Sequence, residues 1–299
     1  MSSDSLNALK TYRNYVGAYA AAIRHRQRAR GPEWLLAGME QRRAFSTLRP
    51  NKRLGEHGQR AFLRGSLTLG LMDRIDTSRD PDLAAEASFW LPVQGYYAVH
   101  GFGLAVVDAR EDGNLPTRHS RFLNVITGII CTYFPGVLAA TCAGGPEDEN
   151  IRVAELSLGV QSIRNTNNLT TPDQAFYLPL IGKALLTTHD LRLEANFAEA
   201  RKTPRKNSRA TRRNLSAEEK QEIADRIGKT GVARFLYRLR AKSNYEDPEI
   251  FLQGHESAQD YLQYYEDLVL LVQETCRGLR AVLVRLVGEE RVQALEQRR

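Results

Sequence analysis

The segment Leu239-Arg240-Ala241-Lys242-Ser243-Asn244-Tyr245-Glu246-Asp247-Pro248 brings a guanidinium, an amide and a phenol close together in the chain. An α-helix advances about 100° per residue, so Arg240 and Asn244 fall about 40° apart on one face. Tyr245 falls about 140° away unless the helix stops first, and Asp247-Pro248 predicts a stop there. Arginine beside an amide and a phenol at a helix end suits the holding of one phosphate group. Arginine in a last helical turn also complements the helix dipole, a purely structural use of the same residue.

Other motifs yield less chemistry. Gly228-Lys229-Thr230 looks like the end of a phosphate-binding loop, but the required earlier glycine is Ile223 and no apolar strand feeds it. Thr230 as a helix cap accounts for the same residues. Gly101-Phe102-Gly103 lacks the third glycine and preceding strand of a dinucleotide fingerprint, and is better read as small residues letting two helices approach. The six histidines include no pair at helical four-residue spacing, and Cys131, Cys142 and Cys276 are too few for a closed zinc site or disulfide framework, so no metal or cofactor is expected. His100 lies in an apolar run, where a satisfied core or interface histidine is the default. Residues 216–240 read as two short helices around a glycine turn, a pattern shared with DNA-binding helix–turn–helix units. No Asn or Gln is placed on the second helix to read bases.

Charge is unevenly distributed. The 299 residues hold 42 Lys/Arg against 35 Asp/Glu, for a net charge of +7. Residues 1–64 carry 13 basic and 4 acidic side chains, whereas residues 65–200 carry 9 and 16. Seven cations then crowd into residues 201–213 with no acid among them: Arg201, Lys202, Arg205, Lys206, Arg209, Arg212 and Arg213. Such a run cannot enter a core. It reads as a solvated loop, as a phosphate-contacting arm, or as both in turn. Two basic zones around an acidic middle suit guidance toward a polyanion.

The elements that must position these groups are helices. Residues 5–29 carry Leu6, Leu9, Tyr12, Tyr15, Val16 and Tyr19 at three- and four-residue steps. Further helices are predicted over 33–48 and 56–74. Asp80-Pro81-Asp82 opens a long apolar stretch to about Ala109, which suits a central helix. Gly113-Asn114-Leu115-Pro116 forms a turn, and Thr117 caps a helix over 118–134. Leu156, Leu158 and Val160 alternate as in a short strand, though part of a helix fits equally. Helix resumes over 181–200. Beyond the basic run, Ser216-Ala217-Glu218-Glu219 has the form of a capping box. Asp247-Pro248-Glu249 marks another helix start, and a last helix spans about 256–285. No segment supplies the roughly 18 apolar residues of a membrane span. The first ten residues lack the basic tip and apolar core of a secretory signal. These features together lead us to expect a cytoplasmic all-α protein.

Taken with Gly95-Tyr96-Tyr97-Ala98-Val99-His100 and Thr117-Arg118-His119, the Arg240–Tyr245 segment resembles the HEPN superfamily (higher eukaryotes and prokaryotes nucleotide-binding). The likeness covers about residues 82–135 and 217–285. It implies a HEPN-like helical bundle in two parts, 81–142 and 216–299, with an N-terminal helical extension (1–80), an insertion (143–200) and the basic arm (201–215). It further implies a dimer whose arginine motifs meet across the interface. Active members cut RNA without metal, helped by a histidine, in toxin–antitoxin and antiviral defence settings; others are inert RNA- or protein-binding modules. Arg240, Asn244 and Tyr245 would form the site, with RNA and a cognate protein as partners. This chain departs from the active pattern, because Asn244 or Tyr245 stands where cutting members carry histidine. A phenol with pKa about 10 is a poorer general base at neutral pH than imidazole near 6.5. Losing that help typically costs on the order of 10²–10⁴ in rate. His100, His119 or His255 is left to substitute in space. The alternatives are an inactive RNA- or protein-binding module and a DNA-binding regulator.

Overall fold

A computed structural model describes the chain except for residues 1–2, 51, 112, 114, 117–118, 146–151, 157, 172–175, 203–213, 247–256 and 299. The fold is all-α. Among the described residues the helices are α1 (Ser3–Arg30), α2 (Trp34–Glu40), α3 (Arg43–Ser46), α4 (Glu56–Asp73), α5 (Pro81–Ala87), α6 (Leu91–Arg110) and α7 (His119–Tyr133). They continue with α8 (Val160–Arg164), α9 (Tyr177–Lys202), α10 (Ala217–Ile227), α11 (Val232–Ala241), α12 (Ala258–Val287) and α13 (Glu289–Glu296). Two short strands, β1 (Thr141–Ala143) and β2 (Arg152–Ala154), pair antiparallel with Cys142 opposite Val153.

The apolar stretch after Asp80 is divided between two helices. Asp80 does accept the Leu83 amide at 2.9 Å, as a cap should, but α5 ends at Ala87 and α6 begins at Leu91. Pro92 explains the division: lacking an amide hydrogen, it sits in a first helical turn without leaving a carbonyl unpaired. The helix expected over 33–48 is likewise two, because Arg42 takes extended backbone. Its guanidinium reaches the Cys131 carbonyl and Glu155 instead. Of the alternating residues, Leu156 and Leu158 lie between β2 and α8 and Val160 starts α8, while the pairing strand lies just before them. The expected Thr117 cap and the helix start at Asp247 lie outside the described residues.

At the centre, α6 is covered on nearly every side. It packs antiparallel to α4 through small residues: a Cβ on Gly101 would lie 2.6 Å from the Ala61 carbonyl oxygen, and one on Gly65 2.9 Å from that of Ala98. Asp108, buried at the far end of α6, accepts the Gly55 amide at 2.7 Å and so closes the N-terminus of α4. A carboxylate there also complements the helix dipole. α12 covers another face of α6, with Gly95 against Val272. α1 lies along α12, bridged by Arg24–Asp267 at 2.6 Å and Arg13–Asp260 at 2.7 Å.

Tyr15, Val16, Tyr19 and Ile23 of α1 are fully buried in the same core as α6 and α12, as are Leu180, Ile181 and Leu185 of α9. The stretches expected as an extension and an insertion thus share the central core. α13, beyond the last helix expected from the sequence, seats Val292 and Leu295 in it.

Candidate functional site

α11 runs beside the middle of α6, and Phe235, Leu236 and Leu239 seat it in the core. Its C-terminus then presents Arg240 over four tyrosine rings. The guanidinium carbon is 5.4 Å from the Tyr96 centroid, 5.1 Å from Tyr97, 5.7 Å from Tyr237 and 5.4 Å from Tyr245. Nη2 donates to the Tyr97 hydroxyl at 3.0 Å and to that of Tyr245 at 3.3 Å. Each ring adds about 0.5–2 kcal/mol of cation–π attraction, depending on its exposure. No carboxylate pairs with Arg240 among the described residues.

The helix does not stop after α11; it widens. Residues Lys242–Glu246 form a π-helical turn, whose backbone bonds span five residues rather than four. Tyr245 lies over Arg240, and among the described residues Asn244 makes no hydrogen bond to it. Tyr245 is 67% exposed, so the phenol and guanidinium meet at the surface. Ser243 anchors the turn by donating its hydroxyl to the Phe89 carbonyl at 2.7 Å.

Two histidines complete the cluster. His119, the first residue of α7, shares a hydrogen bond from Nε2 with the Tyr96 hydroxyl. Its ring stacks on His100 with centroids 5.4 Å apart and planes 18° from parallel, and lies 5.1 Å from Tyr237. His100 in turn packs 4.5 Å from Phe122. Burial pushes the His100 pKa down to about 4, assisted by His119, Arg240 and His57. Burial, then Arg240 and Arg234, also lowers that of His119. Both imidazoles are thus neutral at pH 7. Burial raises the Tyr96 phenol, which keeps its proton. The sequence names both histidines as auxiliaries but cannot show that they touch one another through α6 and α7. His255 lies outside the described residues.

Other expected groups have different fates. Arg201 and Lys202 end α9, and Lys202 pairs with Glu199 at 3.0 Å. Arg205, Lys206, Arg209, Arg212 and Arg213 lie outside the described residues. The capping box forms as read: Ser216 Oγ accepts the Glu219 amide at 3.2 Å and Glu219 accepts that of Ser216 at 3.0 Å. Thr230 does not cap α11, whose N-cap is Gly231. Instead its backbone bridges Cys142 at 2.8 Å in both directions, and its hydroxyl meets His189 Nδ1 at 2.9 Å. In the helix–turn–helix pattern, the second helix would be α11, where Val232 through Leu236 are all buried. The three cysteines are free thiols. No cluster of His, Cys, Asp or Glu suited to a metal occurs among the described residues, and no described helix is long and apolar enough to cross a membrane.

Comparison with protein-family models, curated proteins and solved structures finds no match to this chain.

Proposed function

We propose that this chain is a HEPN-like protein that engages RNA at the Arg240 cluster and cleaves it without a metal. The observation that supports the reading is the meeting of Arg240, Tyr245 and a pair of neutral histidines drawn from three separate stretches of sequence. Arg240 holds the scissile phosphate. Tyr97 and Tyr245, both exposed and both bonded to its guanidinium, offer rings for bases to stack on, worth about 1–3 kcal/mol per base. His119 supplies the imidazole that the linear motif lacks. With Nε2–H donated to Tyr96, its Nδ1 lone pair takes the proton of a ribose 2′-hydroxyl. The 2′ oxygen then bonds to the neighbouring phosphorus, the P–O5′ bond breaks, and the departing 5′ oxygen takes a proton from solvent. The products are a 2′,3′-cyclic phosphate and a 5′-hydroxyl end.

The test is incubation of the purified chain with end-labelled RNA in EDTA at two salt concentrations. Cleavage to cyclic-phosphate ends, lost in Arg240→Ala with the fold retained by circular dichroism, supports the reading. Retention of RNA without product would leave an RNA-binding module at the same site. Equal cleavage by wild type and Arg240→Ala would discard the site.

A further inference from the structure

On the other side of Tyr237 lies a second feature that the Arg240 reading does not use. A cleft of about 900 Å³ opens between α7, α9, α10 and α11. Arg121, Arg192, Arg226, Arg234 and Arg238 line it, and no Asp or Glu does among the described residues. Leu191, Ala195 and Ile227 form an apolar wall, and Tyr237 stands at the boundary with the Arg240 cluster.

Three helices build its floor by the same device, a pair of residues four apart on one face. α7 contributes Ser120 and Asn124, α9 contributes Thr188 and Arg192, and α11 contributes Arg234 and Arg238. Arg234 is only 7% exposed. Its Nη2 donates to the Ser120 carbonyl and to Asn124 Oδ1, both at 2.7 Å. Arg192 uses the same Asn124 oxygen at 3.4 Å, together with the Ile227 carbonyl at 2.5 Å and the Lys229 carbonyl at 3.1 Å. Arg238 is held by Thr188 at 3.2 Å and the Tyr12 hydroxyl at 2.9 Å.

Every one of these partners is neutral. Three guanidiniums are thus fixed in place without a carboxylate among the described residues. The Nε atoms of Arg234 and Arg238 are buried and have no hydrogen-bond partner among the described residues. Buried charge is ordinarily paired. Burial drives Arg192 down to about 9 and Arg234 down to about 10, and the Arg234 charge adds to the effect on Arg192. Rigid guanidinium forks with spare donors match the paired oxygens of carboxylates and phosphates, and three of them together suit the multiple charge of a phosphate over a single carboxylate. The volume is that of a pocket for a ligand of drug or nucleotide size.

We propose that this cleft binds a terminal phosphate group of a nucleotide, held by Arg192, Arg234 and Arg238, with the base on the apolar wall beside Tyr237. The site is independent of RNA cleavage at Arg240. The nucleotide is either free in solution or the 5′ end of an RNA strand; the chemistry recognised is the same.

Isothermal titration of the full chain with ATP and with adenosine tests it. ATP is expected to bind 1:1 and adenosine not to bind. Binding weakens at least tenfold in Arg234→Gln and in Arg121→Gln, the latter an exposed position that spares the core, and is unchanged in Arg240→Ala. Competition in the Arg240→Ala background then identifies the source. Displacement of ATP by a 5′-phosphorylated RNA octamer but not by its 5′-hydroxyl form assigns strand ends; displacement by neither assigns free nucleotides. Absence of ATP binding, equal binding in the two cleft variants and wild type, or equal displacement by both RNAs would overturn the proposal.

Discussion

The Tyr96 hydroxyl and His119 Nε2 are hydrogen-bonded across α6 and α7, which ties the first residue of one helix to the middle of the cluster on the other. His119 is exposed at its outer edge yet fixed at its inner one. An imidazole so held is oriented before any substrate arrives, and orientation is a large part of what a general base contributes.

That bond leads to the first expectation. His119→Ala should lower metal-independent RNA cleavage by on the order of 10²–10⁴ while leaving RNA retention intact. Tyr96→Phe, which removes only the orienting partner, should lower the turnover rate less and leave KM unchanged. Because the His119 pKa is lowered, cleavage should hold level from neutral pH down past about 6.5 before falling. A pH–rate profile in EDTA checks this, and an inflection above 7 would contradict it.

His100 should make the fold sensitive to acid. Its folded pKa of about 4 lies below the unfolded value of 6.5, so the unfolded state binds the extra proton. The associated stability is complete above pH 6.5, declines as pH falls toward 4, and levels off below. From that difference the loss is roughly 3 kcal/mol. Urea melts between pH 7 and 4 should show it, and His100→Gln should remove that part of the slope.

Arg240→Lys is a sharper probe of the tyrosine cluster than Arg240→Ala. Lysine keeps the charge but loses the planar fork that bonds Tyr97 and Tyr245 together. RNA retention should fall at least severalfold, with thermal stability lowered by only about 1 kcal/mol. Filter binding and a thermal melt on the same preparations distinguish the two effects.

The contact between α4 and α6 should tolerate nothing larger than hydrogen. Gly101→Ala would drive a methyl against the Ala61 carbonyl and the Gly65 backbone, costing about 1–3 kcal/mol or more. Gly70→Ala, on α4 with open space around it, should instead gain up to about 1 kcal/mol. Chemical denaturation of the two variants gives opposite signs if the packing is as described.

Much of this architecture was legible because local chemistry decided it. The Ser216–Glu219 capping box, the Asp80 cap and the α1 stripe need only neighbours in sequence. Gly101 also announced a close helix approach. What stayed hidden depends on partners far along the chain. Thr230 looked like a cap, but the Cys142 strand claims its backbone. The pairing of β1 with β2 was invisible because three-residue strands carry no period. The widening at Lys242 was hidden too, because nothing in the local sequence marks where an α-helix gives way to a π turn. The arginines of the second cleft had a signal, the four-residue pairs on α7, α9 and α11, but nothing in one helix pointed to the other two.

The widened turn at Lys242–Glu246 has a consequence for how this chain tolerates length change. Loss of a single residue there, for instance Asn244, would restore ordinary pitch and bring the tyrosine four positions after Arg240 instead of five, still above the guanidinium. The contact between guanidinium and phenol would survive that excision, whereas removing a residue from the body of α11 would rotate every side chain after it by about 100° and scatter the cluster.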